Sequence, residues 1–256
     1  MEKKTPENPD LQESRLGLGL AAIGRPEYIN IREHPDEDKA ESSYRQRAIS
    51  LLEFAYQKGV RDFDTAASYG KGEQFLKDWY QEKKYSDVRL SSKWGYTYKA
   101  NWEIGYKGPH EVKEHSLDKL QEQWSKAAEL LPGLKIYQIH SATFESGVLH
   151  NKEVLDELHR IKSATGIRIG VSVSGANQKD VISAAANIKV GGKDLFDSFQ
   201  VTYNILDTST HTVLHGLLEK GKTIIVKEAL ANGRILQNKT YPRYEPLYKV
   251  LDEIAT

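Results

Sequence analysis

One pattern runs through the whole 256-residue sequence: a short apolar run, followed by a segment with apolar residues three and four positions apart. The runs have the length and the apolar, β-branched composition expected of strands buried on both faces of a sheet. The segments between them have helical periodicity, and several end at a glycine or a proline. The seven runs lie at 16–20, 60–63, 88–92, 135–139, 167–171, 196–201 and 223–227. Strict alternation of strands and helices predicts a parallel sheet.

Two parallel architectures compete, the doubly wound sheet and the closed barrel. The units repeat at about thirty residues, and no linker or change of composition divides the chain. We therefore predict an α/β fold, a (β/α)8 TIM-type barrel with about seven βα units present, in a domain at 15–256 after a flexible arm at 1–14. Because a barrel needs an eighth strand to pair with the seventh and the first, we expect the chain to stop short of its natural C-terminus, at Thr256.

Composition excludes several classes of function. The 36 basic residues balance the 36 acidic ones, so no net charge draws the protein to nucleic acid or to an anionic membrane. The chain has no cysteine, which excludes thiolate zinc sites and cysteine nucleophiles and is compatible with a reducing compartment. The N-terminus is charged, and no run approaches the roughly 18 apolar residues of a membrane span. These features predict a soluble, cytoplasmic protein without a nucleic-acid or membrane partner.

Two short motifs suggest other chemistries but lack the necessary context. Residues 17–22, GLGLAA, fit the dinucleotide fingerprint, which requires a helix to begin at once. Pro26 and Pro35 follow instead and indicate a loop, so we favour a barrel strand. His110 and His115 resemble a zinc-binding helix motif, but their spacing of five would place them about 140° apart on a helix. We predict no metal site.

Polar residues stand at or just past the end of six predicted strands. Barrel enzymes place their chemistry at the carboxyl ends of the strands. Polar groups that converge at one rim are costly to keep there unless they bind something. For any single residue the alternative stays open that a strand end simply borders solvent, whereas six in register favour a site. The six residues are Asp64, Lys93, His140, Ser172, Gln200 and Lys227.

The first three of these residues, together with Tyr69, suggest a proton donor. A tyrosine has a pKa of about 10, which makes it a weak acid at neutral pH. The Lys93 ammonium would favour the phenolate and lower that pKa, and Asp64 would keep the lysine charged and oriented. His140 can donate a hydrogen bond to a substrate carbonyl. A site of this kind, without a nucleophile or a metal, suits the addition of hydride to a carbonyl.

At these residues the chain resembles the aldo-keto reductase superfamily. The resemblance runs in order from about residue 15 to about residue 236. The chain is most similar to an uncharacterised bacterial-type subgroup, which indicates no substrate. The motifs that carry it are LGLGL, Asp64-Thr65-Ala66 with Tyr69-Gly70 and Glu73, LSSKWG around Lys93, YQIHSA around His140, Gly170-Val171-Ser172, FQVTYN around Gln200, and KEALANGR at 227–234.

The resemblance implies an NAD(P)H-dependent reduction of an aldehyde or ketone to an alcohol. Tyr69 would be the general acid, Lys93 and Asp64 would tune it, and His140 would orient the carbonyl. The barrel would bind the cofactor across its rim without a Rossmann domain, usually NADPH, with NADH not excluded. A small carbonyl compound is then the expected partner, and the protein is expected to be a monomer or a weak homo-oligomer.

The resemblance also implies where the cofactor binds. Ser172 and Gln200 would hold the nicotinamide carboxamide, and the further cofactor positions are Gly19, Lys227 and Leu230. The chain departs from the family at Val173, where many members have an asparagine whose contact Ser174 or Asn177 could supply. It departs again at Lys227 and Glu228, where many members place an aromatic ring or an arginine.

Two questions stay open from the sequence. Tyr96, Tyr98 and Trp102 follow Lys93 and either line an apolar substrate pocket or pack against a neighbouring loop. In addition, fold does not establish activity, so a catalytically weak, reductase-like nicotinamide-binding, regulatory or scaffold protein is the alternative function.

Overall fold

The computed structural model describes residues 16–27, 38–235 and 244–255. The predicted arm at 1–14 lies outside these ranges. Seven strands form the main sheet: β1 (Gly17–Gly19), β2 (Asp62–Asp64), β3 (Arg89–Trp94), β4 (Leu134–Ile139), β5 (Arg168–Ser172), β6 (Ser198–Thr202) and β7 (Thr223–Lys227). The α-helices are α1 (Glu41–Gln57), α2 (Gly72–Lys83), α3 (Leu117–Ala127), α4 (Lys152–Thr165), α5 (Gln178–Ala186), α6 (His211–Glu219) and α7 (Glu245–Ala255), and short 3-10 turns occur at 128–130, 148–150 and 231–233.

The seven strands pair in parallel and in chain order, from β1 to β7. In a doubly wound sheet the order in which strands are added reverses at one point of the chain, whereas a barrel adds each strand beside the preceding one. The predicted parallel, barrel-type sheet is therefore confirmed, as a curled half-barrel with helices. The dinucleotide-motif alternative is not supported, because β1 is followed by turns at 21–23 and α1 begins only at Glu41.

The two faces of the sheet differ in character. Successive strand residues point to opposite faces, and in β3 Leu90 and Trp94 are buried on the apolar side, whereas Lys93 points to the other side. The apolar core fills the space between the outer face and the helices; the Phe63 and Trp79 rings, for example, are 4.9 Å apart. The inner, concave face is polar along much of its length, so it is available for a site.

Burial decreases from the centre of the sheet to its edges. The residues of β6 are all buried, but in β7 the Val226 side chain is 46% exposed, and β1 is exposed or half-buried. The expectation that every strand is buried on both faces is therefore wrong for β1 and β7. Among the described residues these two strands have a neighbour on one side only, which explains their exposure.

A two-stranded hairpin interrupts the alternation between β3 and α3. Residues Tyr96–Tyr98 pair antiparallel with Glu111–Lys113, with Tyr96 opposite Lys113. We call these two strands the rim hairpin, because they follow the carboxyl end of β3. A smaller hairpin, Lys189–Val190 with Lys193–Asp194, precedes β6. The sequence periodicity predicted neither hairpin.

The position of the core predicts that replacing two phenylalanines will lower the free energy of unfolding by different amounts. Phe63 is 1% exposed in the core, whereas Phe54 is 57% exposed on α1. We expect Phe63→Ala to lower the free energy of unfolding by about 3–5 kcal/mol, because it leaves a cavity. Phe54→Ala should change it by no more than about 0.5 kcal/mol. Urea denaturation measures both, and equal losses would contradict the assigned core.

Candidate active site

The centre of the candidate site is a buried ion pair between β2 and β3. The Lys93 side chain is 1% exposed; its Nζ donates hydrogen bonds to Asp64 Oδ2 and, at 2.9 Å, to the Thr65 carbonyl oxygen. Ser91 Oγ donates to the other Asp64 oxygen at 2.6 Å. Burial opposes the charge on Lys93, but the attractions of Asp64 and Tyr69 outweigh it, so the pKa of Lys93 is raised. The lysine is therefore an ammonium at neutral pH.

Tyr69 lies beside this pair on the turn between β2 and α2. The Lys93 ammonium is 4.9 Å from the centroid of its ring, and the His140 ring packs edge-to-face against it with centroids 5.5 Å apart. The backbone of the turn is held by Gly24, whose carbonyl oxygen accepts a bond from Lys71 N at 2.8 Å. A Cβ on Gly24 would be 2.1 Å from the Tyr69 carbonyl oxygen, so only glycine allows this approach. The structure thus brings together the four residues that the sequence suggested.

His140 directly follows β4 and is held from several sides. Its backbone N–H donates to the Trp94 carbonyl at 2.9 Å, and Nε2 of His115 donates to the His140 carbonyl at 3.0 Å. Ser68 Oγ is 3.5 Å from its Nδ1. Loss of hydration in this half-buried position, with Lys93 nearby, holds the pKa of His140 well below its usual range. At neutral pH the ring is uncharged and has one N–H to donate.

Sequence reasoning missed Arg25, which lies in the loop after β1. Arg25 is buried, and its guanidinium carbon is 5.0 Å from the centroid of the Tyr69 ring. Its Nε donates to the Ala21 carbonyl at 3.1 Å, and Nη1 forms a 3.1 Å ion pair with Glu111 of the rim hairpin. A single arginine in a predicted loop has no periodicity or spacing to mark it, so the sequence held no signal for this contact.

His115 was also missed as a neighbour of the site, because it was considered only as part of a metal motif. It lies between the rim hairpin and α3, not on a helix. Its burial lowers its pKa to about 4, although its bond to the His140 carbonyl opposes the shift. Within the described ranges, no three His, Cys, Asp or Glu residues are arranged to hold a metal ion.

The residues suggested for the cofactor occupy the same rim. Ser172 and Gln200 lie opposite each other in the β5–β6 register, both buried, and Gln200 is two residues before the end of β6. Lys227 ends β7, and its Nζ donates to Thr202 Oγ1 at 2.9 Å and lies 3.7 Å from Glu228. Burial lowers the pKa of Lys227.

The remaining cofactor positions differ in their surroundings. Gly19 is opposite Asp64 in the sheet, and a Cβ there would meet nothing within 4 Å, which leaves open space beside the carboxylate. Leu230 is 56% exposed in the loop after β7. Val173 is buried, whereas Ser174 and Asn177 are both exposed.

The aromatic residues after Lys93 differ in position: one borders the site, and another packs against a neighbouring loop. Tyr96 adjoins the site, with its ring centroid 4.9 Å from that of His140. Trp102 packs instead against Tyr44 at 5.3 Å, and its Nε1 donates to the Lys39 carbonyl at 2.9 Å. Trp102 therefore joins neighbouring loops, whereas Tyr96 borders the space above His140.

A model of the aldo/keto reductase family matches residues 15–250, and this range contains all the motifs described above. The chain belongs to the aldo/keto reductase family. The order of its seven strands and the placement of polar residues at one rim agree with this membership. In the described part of the chain, no helix of this family member is both long and apolar enough to cross a membrane.

Individual relatives are distant. An uncharacterized oxidoreductase of Bacillus subtilis, YqkF, is 25% identical over 165 residues, which are 62% of this chain and 45% of YqkF. The match thus spans less than half of that relative's length. Among solved structures, a proposed aldo-keto reductase of Pseudomonas aeruginosa has a TM-score of 0.62 at 22% identity, covering 85% of this chain and 74% of its own. A glycerol dehydrogenase of Gluconobacter oxydans has a TM-score of 0.63 at 18% identity, and the match covers 89% of this chain and 64% of the dehydrogenase. These likenesses show the fold.

The Arg25–Glu111 pair predicts a measurable coupling. Arg25→Met leaves a half-buried carboxylate without this partner, so we expect a loss of about 2 kcal/mol in the free energy of unfolding. Glu111→Gln should cost less, and the double variant should lose less than the two single losses added together. Urea denaturation of the four proteins gives the coupling. Strictly additive losses would show that the pair does not join the loop to the rim hairpin.

The lowered pKa values of two histidines predict a loss of stability in mild acid. The pKa values of His115 and His140 are lowered in the folded state, so the unfolded chain binds more protons once the pH falls below about 6.5. Between pH 6.5 and 4, His115 should lower the free energy of unfolding by up to about 1.4 kcal/mol per pH unit, and His140 should act in the same direction.

His115→Gln tests this assignment. The glutamine amide can still donate to the His140 carbonyl, but it does not titrate, so the stability of the variant should depend less steeply on pH. His215→Gln, which replaces a histidine whose side chain is 70% exposed, is the control and should keep the wild-type dependence. Urea denaturation at several pH values measures the slopes. Identical slopes for all three proteins would rule out the buried, neutral His115.

Proposed function

We propose that the protein reduces an aldehyde or ketone to an alcohol, using a nicotinamide cofactor as the hydride donor. The observation that supports this proposal best is the position of Tyr69 between a buried ammonium, Lys93, and a neutral imidazole, His140. A phenol in this position can give up a proton because a positive charge stabilises the oxygen anion that remains. The family membership supports the same class of reaction.

Each residue of the group has a distinct part in this proposal. His140 donates its one N–H to the substrate carbonyl and so directs the oxygen toward Tyr69. Tyr69 gives its proton to that oxygen as negative charge develops on it. Lys93 stabilises the resulting phenolate, and Asp64 keeps Lys93 charged and directed at the phenol. In the reverse direction Tyr69 accepts the proton and acts as the base.

The residues of the rim fit a nicotinamide cofactor, and proteins of this family generally bind one. The bound cofactor would supply the hydride. The Ser172 hydroxyl and the Gln200 amide are complementary to a carboxamide, and the open space at Gly19 leaves room for a flat group beside Asp64. The half-buried ammonium of Lys227 is suited to a phosphate, and Leu230 offers an apolar surface. We propose NADPH as the cofactor, with NADH as the alternative to test.

The proposal extends to the protein as a whole. We propose that 15–256 forms one reductase domain that acts in the cytoplasm on a small molecule, as a monomer or weak homo-oligomer. The balance of 36 basic and 36 acidic residues and the lack of cysteine support this setting.

Substitution of the proposed acid tests the function. Tyr69→Phe keeps the ring but removes the proton, so we expect kcat to fall by about 100-fold to 10,000-fold. Tyr80→Phe, which changes a tyrosine on α2, should keep full activity. The assay follows the loss of NADPH or NADH absorbance with a panel of aldehydes and ketones. Full activity of Tyr69→Phe would refute the assigned acid, and no turnover of any carbonyl by the wild type would refute the reductase proposal.

A further inference from the structure

The rim hairpin turns one face toward the proposed active site. Side chains alternate along a strand, and Tyr96 is opposite Lys113 while Tyr98 is opposite Glu111, so these four share one face. Tyr96 on this face adjoins His140, and Glu111 binds Arg25, which covers the Tyr69 ring. The two proton-handling residues thus lie next to this face of the hairpin.

Lys113 places an ammonium at the same location. Its Nζ donates to the carbonyl oxygen of Ser141, the residue after His140, at 2.9 Å. It also lies 5.3 Å from the centroid of the Tyr96 ring, which contacts the rings of both His140 and His115. The ammonium therefore contacts the residue that follows His140, and the ammonium and the His140 imidazole both contact the Tyr96 ring.

Three other cations of the rim each lie beside a carboxylate. Lys93 is paired with Asp64, Arg25 with Glu111, and Lys227 lies 3.7 Å from Glu228. Lys113 has no such ion pair in the part of the chain that the structure describes; its contacts there are a backbone carbonyl and an aromatic ring.

Two ionisable groups near Lys113, Glu145 and His115, respond to its charge but form no ion pair with it in the described part of the chain. The pKa of Glu145 is lowered by hydrogen bonds from its own backbone and from Thr143, and the Lys113 ammonium lowers it further. The positive charge of Lys113 also contributes to the lowered pKa of His115. A half-buried ammonium without an ion pair gains free energy when an anion binds beside it.

We propose that Lys113 binds an anionic group of the substrate, so that the compound reduced carries a carboxylate or a phosphate in addition to its aldehyde or ketone. This inference rests on the proposed reductase function and specifies its substrate class. His140 and Tyr69 would hold the carbonyl end, and the Tyr96 ring would contact the part of the substrate between the carbonyl and the anion. A charge at this position also steers anionic substrates to the rim.

The experiment compares three aromatic aldehydes that differ in charge. They are 4-formylbenzoate, 4-formylphenyl phosphate and the neutral methyl 4-formylbenzoate. For the wild type we expect kcat/KM to be higher for at least one anion than for the neutral ester, and the preferred anion distinguishes carboxylate from phosphate. Lys113→Met should reduce this preference by about tenfold or more while turnover of the ester persists.

Two further variants separate charge from structure. Lys113→Arg keeps a cation and should keep the preference. Lys99→Met removes an exposed lysine that directly follows the first strand of the rim hairpin, and it should leave the preference unchanged. If Lys113 only supports the Ser141 carbonyl, Lys113→Met will lower the melting temperature without changing the ratio of kcat/KM for the preferred anion to kcat/KM for the neutral ester. That result would overturn the proposal.

A binding measurement makes the test independent of catalysis. Isothermal titration of 4-formylbenzoate and of 4-formylphenyl phosphate into the protein, without added cofactor, should give a Kd for at least one anion that rises about tenfold or more in Lys113→Met but not in Lys99→Met. Equal binding by all variants, or binding of neither anion by the wild type, would refute the role of Lys113. Binding of an anion without any turnover would instead refute the reductase proposal and leave the anion site supported.

Discussion

The buried charge of Lys93 is the constraint on which the rest of the site depends. An ammonium inside a protein is costly unless a carboxylate and further acceptors surround it, and here Asp64 and the Thr65 carbonyl meet that need. Because Asp64 ends β2 and Lys93 lies near the end of β3, the pair ties the two strands together at the rim. Ser91, two residues before Lys93 on the same face, holds the second oxygen of Asp64. The chain that leaves β2 is thus fixed where the turn carrying Tyr69 begins.

The division of the sheet into two unlike faces allows such a site to exist in a stable protein. The outer face packs against the helices and supplies the apolar burial that stabilises the fold. The concave face can then remain polar below the rim, where Asp62 and Arg89 form a paired bond and the Gln138 side chain is buried without a hydrogen-bond partner in the described part of the chain. Stability and chemistry are placed on opposite sides of the same strands.

Segments far apart in the chain complete the environment of the tyrosine. The loop after β1 brings Gly24 against the Tyr69 turn and Arg25 onto the Tyr69 ring, and the rim hairpin supplies Glu111 as the counter-ion. Three cations of the rim are neutralised by carboxylates in this way. The charge of Lys113 differs from those three because no carboxylate forms an ion pair with it in the described part of the chain, and this contrast, rather than its position alone, points to a ligand.

The strands, the parallel sheet and the group of Asp64, Tyr69, Lys93 and His140 were all predictable from the order of residues. Periodicity reports which face of an element is buried, and parallel strands bring their carboxyl ends to one rim, so polar residues at successive strand ends must meet. The rim hairpin, the exposure of Val226 and the contact of Arg25 with Tyr69 were not predictable in this way. Arg25 and Glu111 become neighbours only through folding, since no local periodicity relates residues so far apart, and exposure at β7 depends on whether another strand pairs with it. Local patterns specify each element and its direction, whereas contacts between loops depend on how the completed sheet places them in space.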